Sequence, residues 1–210
     1  MSDEYLIETF EHEGIECKIM IDPWADDPRG MRDEITRWIW GSQHKHLAEK
    51  HDEHIDLDLY DYRESKWTPT ALAARWLTLC DDYAIVVPFR IEDYGSNGSR
   101  AYLTDINDDR VHGFVGISRR DLEKEREHNT DEWRFDPLAY IYAMFGEFQA
   151  WVAGEVFGWV VADGCDDEDS CWGYYGDIDY VRTQAKEAAA AVAHERYVNT
   201  EPPDMAEVLR

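Results

Sequence analysis

"GWVVADGCDDEDSCWGYYGDIDY", residues 158–180, decides the architecture of this 210-residue chain. Its opening apolar run is short, β-branched and aromatic, the composition of a buried strand. Extended by two residues to "VFGWVVA" and set against "CWGYY", it reads as one arm of a β-hairpin whose loop holds the acids. Asp177 or Asp179 then caps a helix reaching Ala193, with Val181, Ala185, Ala188 and Val192 along one stripe. Two strands joined by a tight loop and followed by a helix imply antiparallel pairing with the helix on one face.

The same grammar extends outward. "YLIETF" and "IECKIMI" alternate around His12-Glu13-Gly14, which predicts an N-terminal hairpin, and "DPWADDPRG" after it is turn chemistry. Ile35, Trp38 and Ile39 share a helical face, so a helix is expected there, then a loop through the histidine-rich segment. Thr68-Pro69 starts a further helix, with Leu72, Ala73, Trp76, Leu77 and Cys80 on its apolar side. "YAIVVPFRI" reads as a buried strand, its Pro88 suggesting an edge or bulge. Gly95 to Gly98 makes a loop, "HGFVGIS" a strand, and Ser118 caps a charged helix. Asp136-Pro137 begins the best-patterned helix, with Leu138, Ile141, Phe145, Phe148 and Val152 spaced three and four apart. The expected fold class is α+β, a mostly antiparallel sheet with helices packed on one side. Residues 1–198 should form one compact domain, or at most two closely packed ones, and 199–210 a loose tail. There is no internal repeat.

Charge is the outstanding bulk property. Forty-six acids against 21 Lys plus Arg leave a formal net charge of −25, beyond what solubility asks of a small domain. Residues 1–60 carry 16 acids and 6 bases, 61–130 carry 13 and 10, and 131–210 carry 17 and 5, so the excess lies toward the two ends. With 44% hydrophobic and 13% aromatic residues the chain can still bury a core, unlike a disordered acidic tail. Such a field repels nucleic acid and anionic membranes and attracts cationic surfaces. No membrane-length apolar run and no leader-like N-terminus occur, so a cytoplasmic location is expected. Cys17, Cys80, Cys165 and Cys171 are too scattered for a disulfide framework, and reduced thiols are expected.

Motifs for metal or catalysis fail when tested. The twelve-residue calcium loop laid from Asp163 meets Glu168 where glycine is needed and Tyr174 where the bidentate glutamate belongs. Laid from Asp105, it meets Arg110 and Gly116 at those positions. His44, His46, His51 and His54 could bring two or three nitrogens together on a helix, but the zinc-protease spacing is missing and a polar surface segment is the simpler reading. Cys165 and Cys171 lie farther apart than zinc-knuckle cysteines and have no second pair. No phosphate loop, nucleophile elbow or dinucleotide fingerprint occurs. No cofactor, no metal and no enzymatic activity are expected.

Around Ser170 to Asp177, "SCWGYYGD", the chain resembles a group of acidic phage- and prophage-borne proteins of unassigned function that end with a strand, an acidic turn, a Ser-Cys-Trp-Gly-aromatic-Tyr-Gly-Asp motif and a helix. Fainter likeness runs through "VVPFRIEDYGS", "VGISRRDLEKE" and "DPRG", covering about two thirds of the chain, while "GMRDEITRWIW" departs from the group. The resemblance implies a viral accessory protein in the cytoplasm of an infected host and supplies no catalytic residues.

Charge and resemblance together suggest a DNA mimic. Duplex DNA carries two charges per base pair, so 25 net charges match roughly a dozen base pairs, the footprint of a restriction enzyme, a CRISPR complex or a repressor. The expected partner is a basic nucleic-acid-binding host protein of a restriction or CRISPR system; no direct nucleic-acid or membrane binding is expected. The candidate partner-binding acids are Asp163, Asp166, Asp167, Glu168, Asp169, Asp177 and Asp179, with Asp26, Asp27, Asp33 and Glu34 as a second patch. The alternative is an accessory or scaffold protein that binds a host or virion protein through an aromatic and hydrophobic patch, its acidity incidental. Trp24, Trp38, Trp40, Trp172, Tyr174 and Tyr175 lie close to acids in sequence and are the candidates there. A high-salt host is a third origin for the acidity, consistent with 6 Lys against 15 Arg.

Overall fold

Glu13 and Gly14 turn the chain back on itself with φ of 52° and 80°. Two consecutive left-handed residues make the two-residue turn whose twist suits a hairpin. It joins β1 (Leu6–His12) to β2 (Ile15–Ile21), as the alternation of the sequence predicts. The computed structural model describes residues 3–30, 35–40, 69–94, 98–108, 110–128, 135–163 and 166–199, and of residues 3, 30, 69–75, 128, 163, 166–168 and 199 the backbone alone. Its elements form an α+β fold with two antiparallel four-stranded sheets. The contacts divide the chain into two compact units, residues 1–25 with 154–210, and residues 26–153.

In the first unit β2 pairs with β7 (Val156–Asp163), and β7 with β8 (Asp166–Tyr175), in the order β1-β2-β7-β8. Ile15, Cys17 and Ile19 alternate along β2 and meet Phe157, Trp159 and Val161 of β7. Helix α4 (Ile178–Asn199) closes this core with Val181, Ala185 and Ala189, whose small side chains let it lie close to the sheet. Asp177 starts α4: its Oδ1 accepts the Tyr180 N–H at 3.0 Å, so of the two caps the sequence offers, Asp177 or Asp179, Asp177 is the one that serves. Burial pushes the Cys17 thiol up, more than nearby Lys186 lowers it, so Cys17 is an inert apolar core residue.

The second unit contains the sheet β3-β6-β4-β5, built from β3 (Thr36–Trp40), β4 (Tyr83–Asp93), β5 (Ser99–Leu103) and β6 (Gly113–Ser118). Trp38, Trp40, Phe89, Ile91, Val115 and Ile117 form one core with Leu122 of α2 (Arg119–His128) and Ile141, Phe145 and Phe148 of α3 (Pro137–Ala153). Ile39, Val86 and Phe114, on the alternate strand positions, form another with Leu79 and Trp76 of α1 (Pro69–Asp82). Asp136 caps α3 by accepting the Leu138 and Ala139 N–H groups at 2.9 and 3.1 Å. Ser118 caps α2, accepting the Asp121 N–H at 3.0 Å and donating to its carboxylate at 2.8 Å.

The two-sided core explains where the sequence reading went astray. Thr36 to Trp40 is a strand and not the expected helix: Trp38 and Trp40 pack on one face and Ile39 on the other, so apolar residues crowd together without alternating. Among the described side chains of α1, those of residues 76–82, Leu79 is buried, whereas Leu77, expected inside, is 67% exposed. Pro88 lies in the interior strand β4 and not at an edge. Its carbonyl accepts the Thr104 N–H at 2.9 Å at the end of the β5 pairing, so the missing N–H removes no bond to β6. Strand β5, "SRAYL", was not expected at all. The acids Asp166 to Asp169 belong to β8 itself and not to the expected loop, Asp166 already pairing with Asp163. Helix α4 continues six residues past Ala193 to Asn199. Asn199, the first residue of the expected 199–210 tail, is instead the last residue of α4, while residues 200–210 and His44–His54 lie outside the described residues.

Candidate functional site

Charge separates the two units. Residues 1–25 and 154–210 carry 20 acids and 5 Lys or Arg, a net −15 in 82 residues, against a net −10 in the 128 residues of the second unit. One-to-one pairing could neutralise at most a quarter of the first unit's acids. In the second unit many acids meet cations. Asp108 pairs with Arg90 at 3.0 Å and Arg110 at 3.4 Å, and Glu92 with Arg110 at 2.9 Å and Arg90 at 3.4 Å. Asp121 pairs with Arg37 at 3.1 Å and Lys124 at 3.4 Å. Tyr94 donates to Glu92, and this bond first, then one with Tyr102, holds the Tyr94 phenol above its usual range.

The candidate acids of the first unit fall on two adjoining elements. Asp169 is exposed on β8 opposite Val161. Asp177 is exposed beyond Gly176, which takes φ of 83° to lead the chain out of β8 into α4. Asp179 follows in the first turn of α4 with 85% of its side chain exposed, where the helix N-terminus favours an anion. Arg182 binds Asp179 on one side and Glu8 of β1 on the other, at 3.1 Å between Nη2 and Oε2. That bridge ties α4 to the sheet and offsets part of the local charge. Asp163, Asp166, Asp167 and Glu168 are described as backbone only, pairing Asp163 with Asp166 and Ala162 with Asp167.

The second candidate patch is mostly not a surface. Asp27 turns inward and holds Arg29, Nη2 to Oδ2 at 2.6 Å and Nε to Oδ1 at 3.0 Å, with 7% and 1% of the two side chains exposed. The Arg29 guanidinium carbon lies 5.3, 5.4 and 4.8 Å from the ring centres of Trp38, Trp40 and Phe148. An aromatic wall of that kind suits a planar cation, which removes Asp27 from any outward-facing set. Asp26 is exposed, and Asp33 and Glu34 lie outside the described residues.

The aromatic candidates divide just as sharply. Trp38 and Trp40 are core, and Trp172, Tyr174 and Tyr175 are half-buried. Trp172 lies on Gly158 of β7, and Tyr174 accepts the Trp159 indole N–H at 3.1 Å. Only Trp24 of the six is exposed, at 78%, edge-to-face on Tyr5 with ring centres 6.0 Å apart. The Glu8–Arg182 arm of the bridge is not legible in the sequence because 174 residues separate its members, whereas Asp179 and Arg182 stand three apart on one helix, a spacing that a local window contains. Asp105 is a turn former, accepting the Asn107 N–H at 2.8 Å.

Among the described residues no group of three or more His, Cys, Asp or Glu side chains converges as a metal site, and no helix is long and apolar enough to cross a membrane. No known protein family, no curated protein and no solved structure matches the chain.

Proposed function

We propose that this chain is a phage-encoded DNA mimic that occupies the nucleic-acid-binding groove of a basic host defence protein, a component of a restriction or CRISPR system. The observation that supports it most directly is the net −15 gathered in a unit whose described acids Asp169, Asp177 and Asp179 face solvent on a capped helix and a paired strand. Carboxylates held on rigid elements replace backbone phosphates and pair with the target's Lys and Arg, releasing counterions from both. Inhibition is then competitive occlusion, with no bond made or broken. Affinity falls steeply with salt, as it does for DNA itself.

The test is capture from a nuclease-treated bacterial lysate carrying restriction and CRISPR systems, with low-salt and high-salt washes. A nucleic-acid-binding defence protein, retained at low salt, released at high salt and displaced by duplex DNA, is expected. Converting Asp166, Asp167, Glu168 and Asp169 to Lys should abolish capture while the circular dichroism spectrum is kept. Retention of the same partner by the folded variant overturns the assignment of this site.

Exposed Trp24 supports the second reading, an accessory protein docking through an aromatic anchor. A partner that resists salt and DNA but is lost in Trp24→Ala would establish that reading instead.

A further inference from the structure

Strand β8 is the outermost strand of its sheet, and among the described residues no strand pairs with its other side. Asp169, Ser170 and Cys171 are exposed there. The pair β7 and β8 is otherwise rich in what sticks: "VFGWVVA" is β-branched and aromatic, and "SCWGYY" carries three aromatics in six residues. An open edge of that composition is a template for a further strand. Two features work against such pairing. Four consecutive positions of β8, 166–169, are acids. The ladder with β7 is also interrupted twice: Glu168 is an extra residue between the partners of Val161 and Ala162, and Trp172 with Gly173 together oppose Gly158. Bulges twist an edge out of line and leave only Asp169 to Cys171 in regular register between them.

We propose that the acid run of β8 is a guard that keeps this sheet edge from pairing with a second copy of the chain. In parallel in-register pairing every carboxylate of one run faces its own copy. In antiparallel pairing centred on the acid half, the two runs again lie side by side. Like charges directly opposite across a strand pair are unfavourable, and here four occur in a row. The guard is independent of the partner reading, because it concerns a chain meeting itself and its readout is mass.

The test uses the full chain and light scattering after size exclusion. Wild type should elute near its 24.6 kDa mass at low salt, and the D166N/D167N/E168Q/D169N variant should shift, with rising concentration, to twice that mass or more. The D166K/D167K/E168K/D169K variant, which repels itself, should stay at the wild-type mass alone yet associate when mixed with wild type at low salt, and the mixture should separate at high salt. The proposal is overturned if the amide variant is folded and keeps the wild-type mass at all concentrations. Should the amide variant fail to fold, the mixture decides: association supports the guard, and its absence overturns it.

Discussion

Replacing Gly158 with alanine should destabilise the chain through one contact. A Cβ built on Gly158 would lie 2.2 Å from Cε3, 2.5 Å from Cδ2 and 2.9 Å from Cζ3 of Trp172. Ordinary carbon contacts are about 3.5–4.0 Å, so the indole must lift by more than 1 Å or so. A rigid bicyclic ring cannot bend out of the way, and it loses its seat on β7. An indole covers roughly 200 Å² when fully buried; half-buried Trp172 has about 100 Å² at stake, worth about 2.5 kcal/mol at ~25 cal/mol per Å². Removing glycine from a strand returns about 0.5–1 kcal/mol by narrowing the unfolded ensemble. The expected net loss is about 1.5–2 kcal/mol, read from urea denaturation followed by far-UV circular dichroism. The sharper measurement is the double-mutant cycle. Trp172→Ala alone should cost about 2.5 kcal/mol, and adding Gly158→Ala to it should cost nothing further, because the methyl then enters vacated space. Additive losses in the double variant would refute the reasoning, since they would mean that the indole does not rest on Gly158.

Phe148→Ala should cost about 3–5 kcal/mol in the same assay, because a fully buried ring is removed from between Trp38 at 4.7 Å and the Arg29 guanidinium at 4.8 Å. A loss under about 2 kcal/mol would show that the cluster closes over the gap. Burial pushes the Asp121 carboxyl up, but the Ser118 hydroxyl, Arg37 and Lys124 outweigh it and hold the carboxyl below its usual range. Its contribution is therefore present above the ordinary carboxylate pKa and lost as pH falls through the lowered one. Asp121→Asn should cost about 1 kcal/mol at pH 7, modest because Arg37 is half exposed, and the gap from wild type should begin to narrow below about pH 4 and shrink as pH falls further. A gap unchanged between pH 7 and pH 3 would show that charge is not the cause.

Local chemistry was legible where it acts alone. Glu13-Gly14, Asp136-Pro137, Ser118 and Asp177 each specify a turn or cap through a few adjacent atoms, and each is found in place. Strand β3 was misread because a sheet covered on both faces erases the alternation by which strands are recognised, leaving "ITRWIW" equally compatible with either period. Strand β5 was missed for the opposite reason: "SRAYL" is short and half polar, and only its pairing with Phe89 to Asp93 makes it a strand. The acid run was found by composition, but its placement on an open sheet edge depends on the order β1-β2-β7-β8, which no local window contains. Asp27 looked like its neighbour Asp26 in sequence; what turns it inward is Arg29 two residues on, seated against rings more distant in the chain.

Strands β2 and β7 are neighbours in one sheet, yet more than 130 residues separate them along the chain. During synthesis the β1–β2 hairpin leaves the ribosome well before β7, its partner in the sheet, and a lone two-stranded hairpin is marginal in water. The second unit, continuous in sequence, has its described strands β3 to β6 available before β7 is made. The β1–β2 hairpin therefore waits for β7, and a chain stopped anywhere before β8 and α4 leaves that hairpin without its core. Interrupted translation or a cut between β6 and β7 thus disables the β1–β2 hairpin as surely as the segment that is lost, because residues 1–25 and 154–210 are one unit.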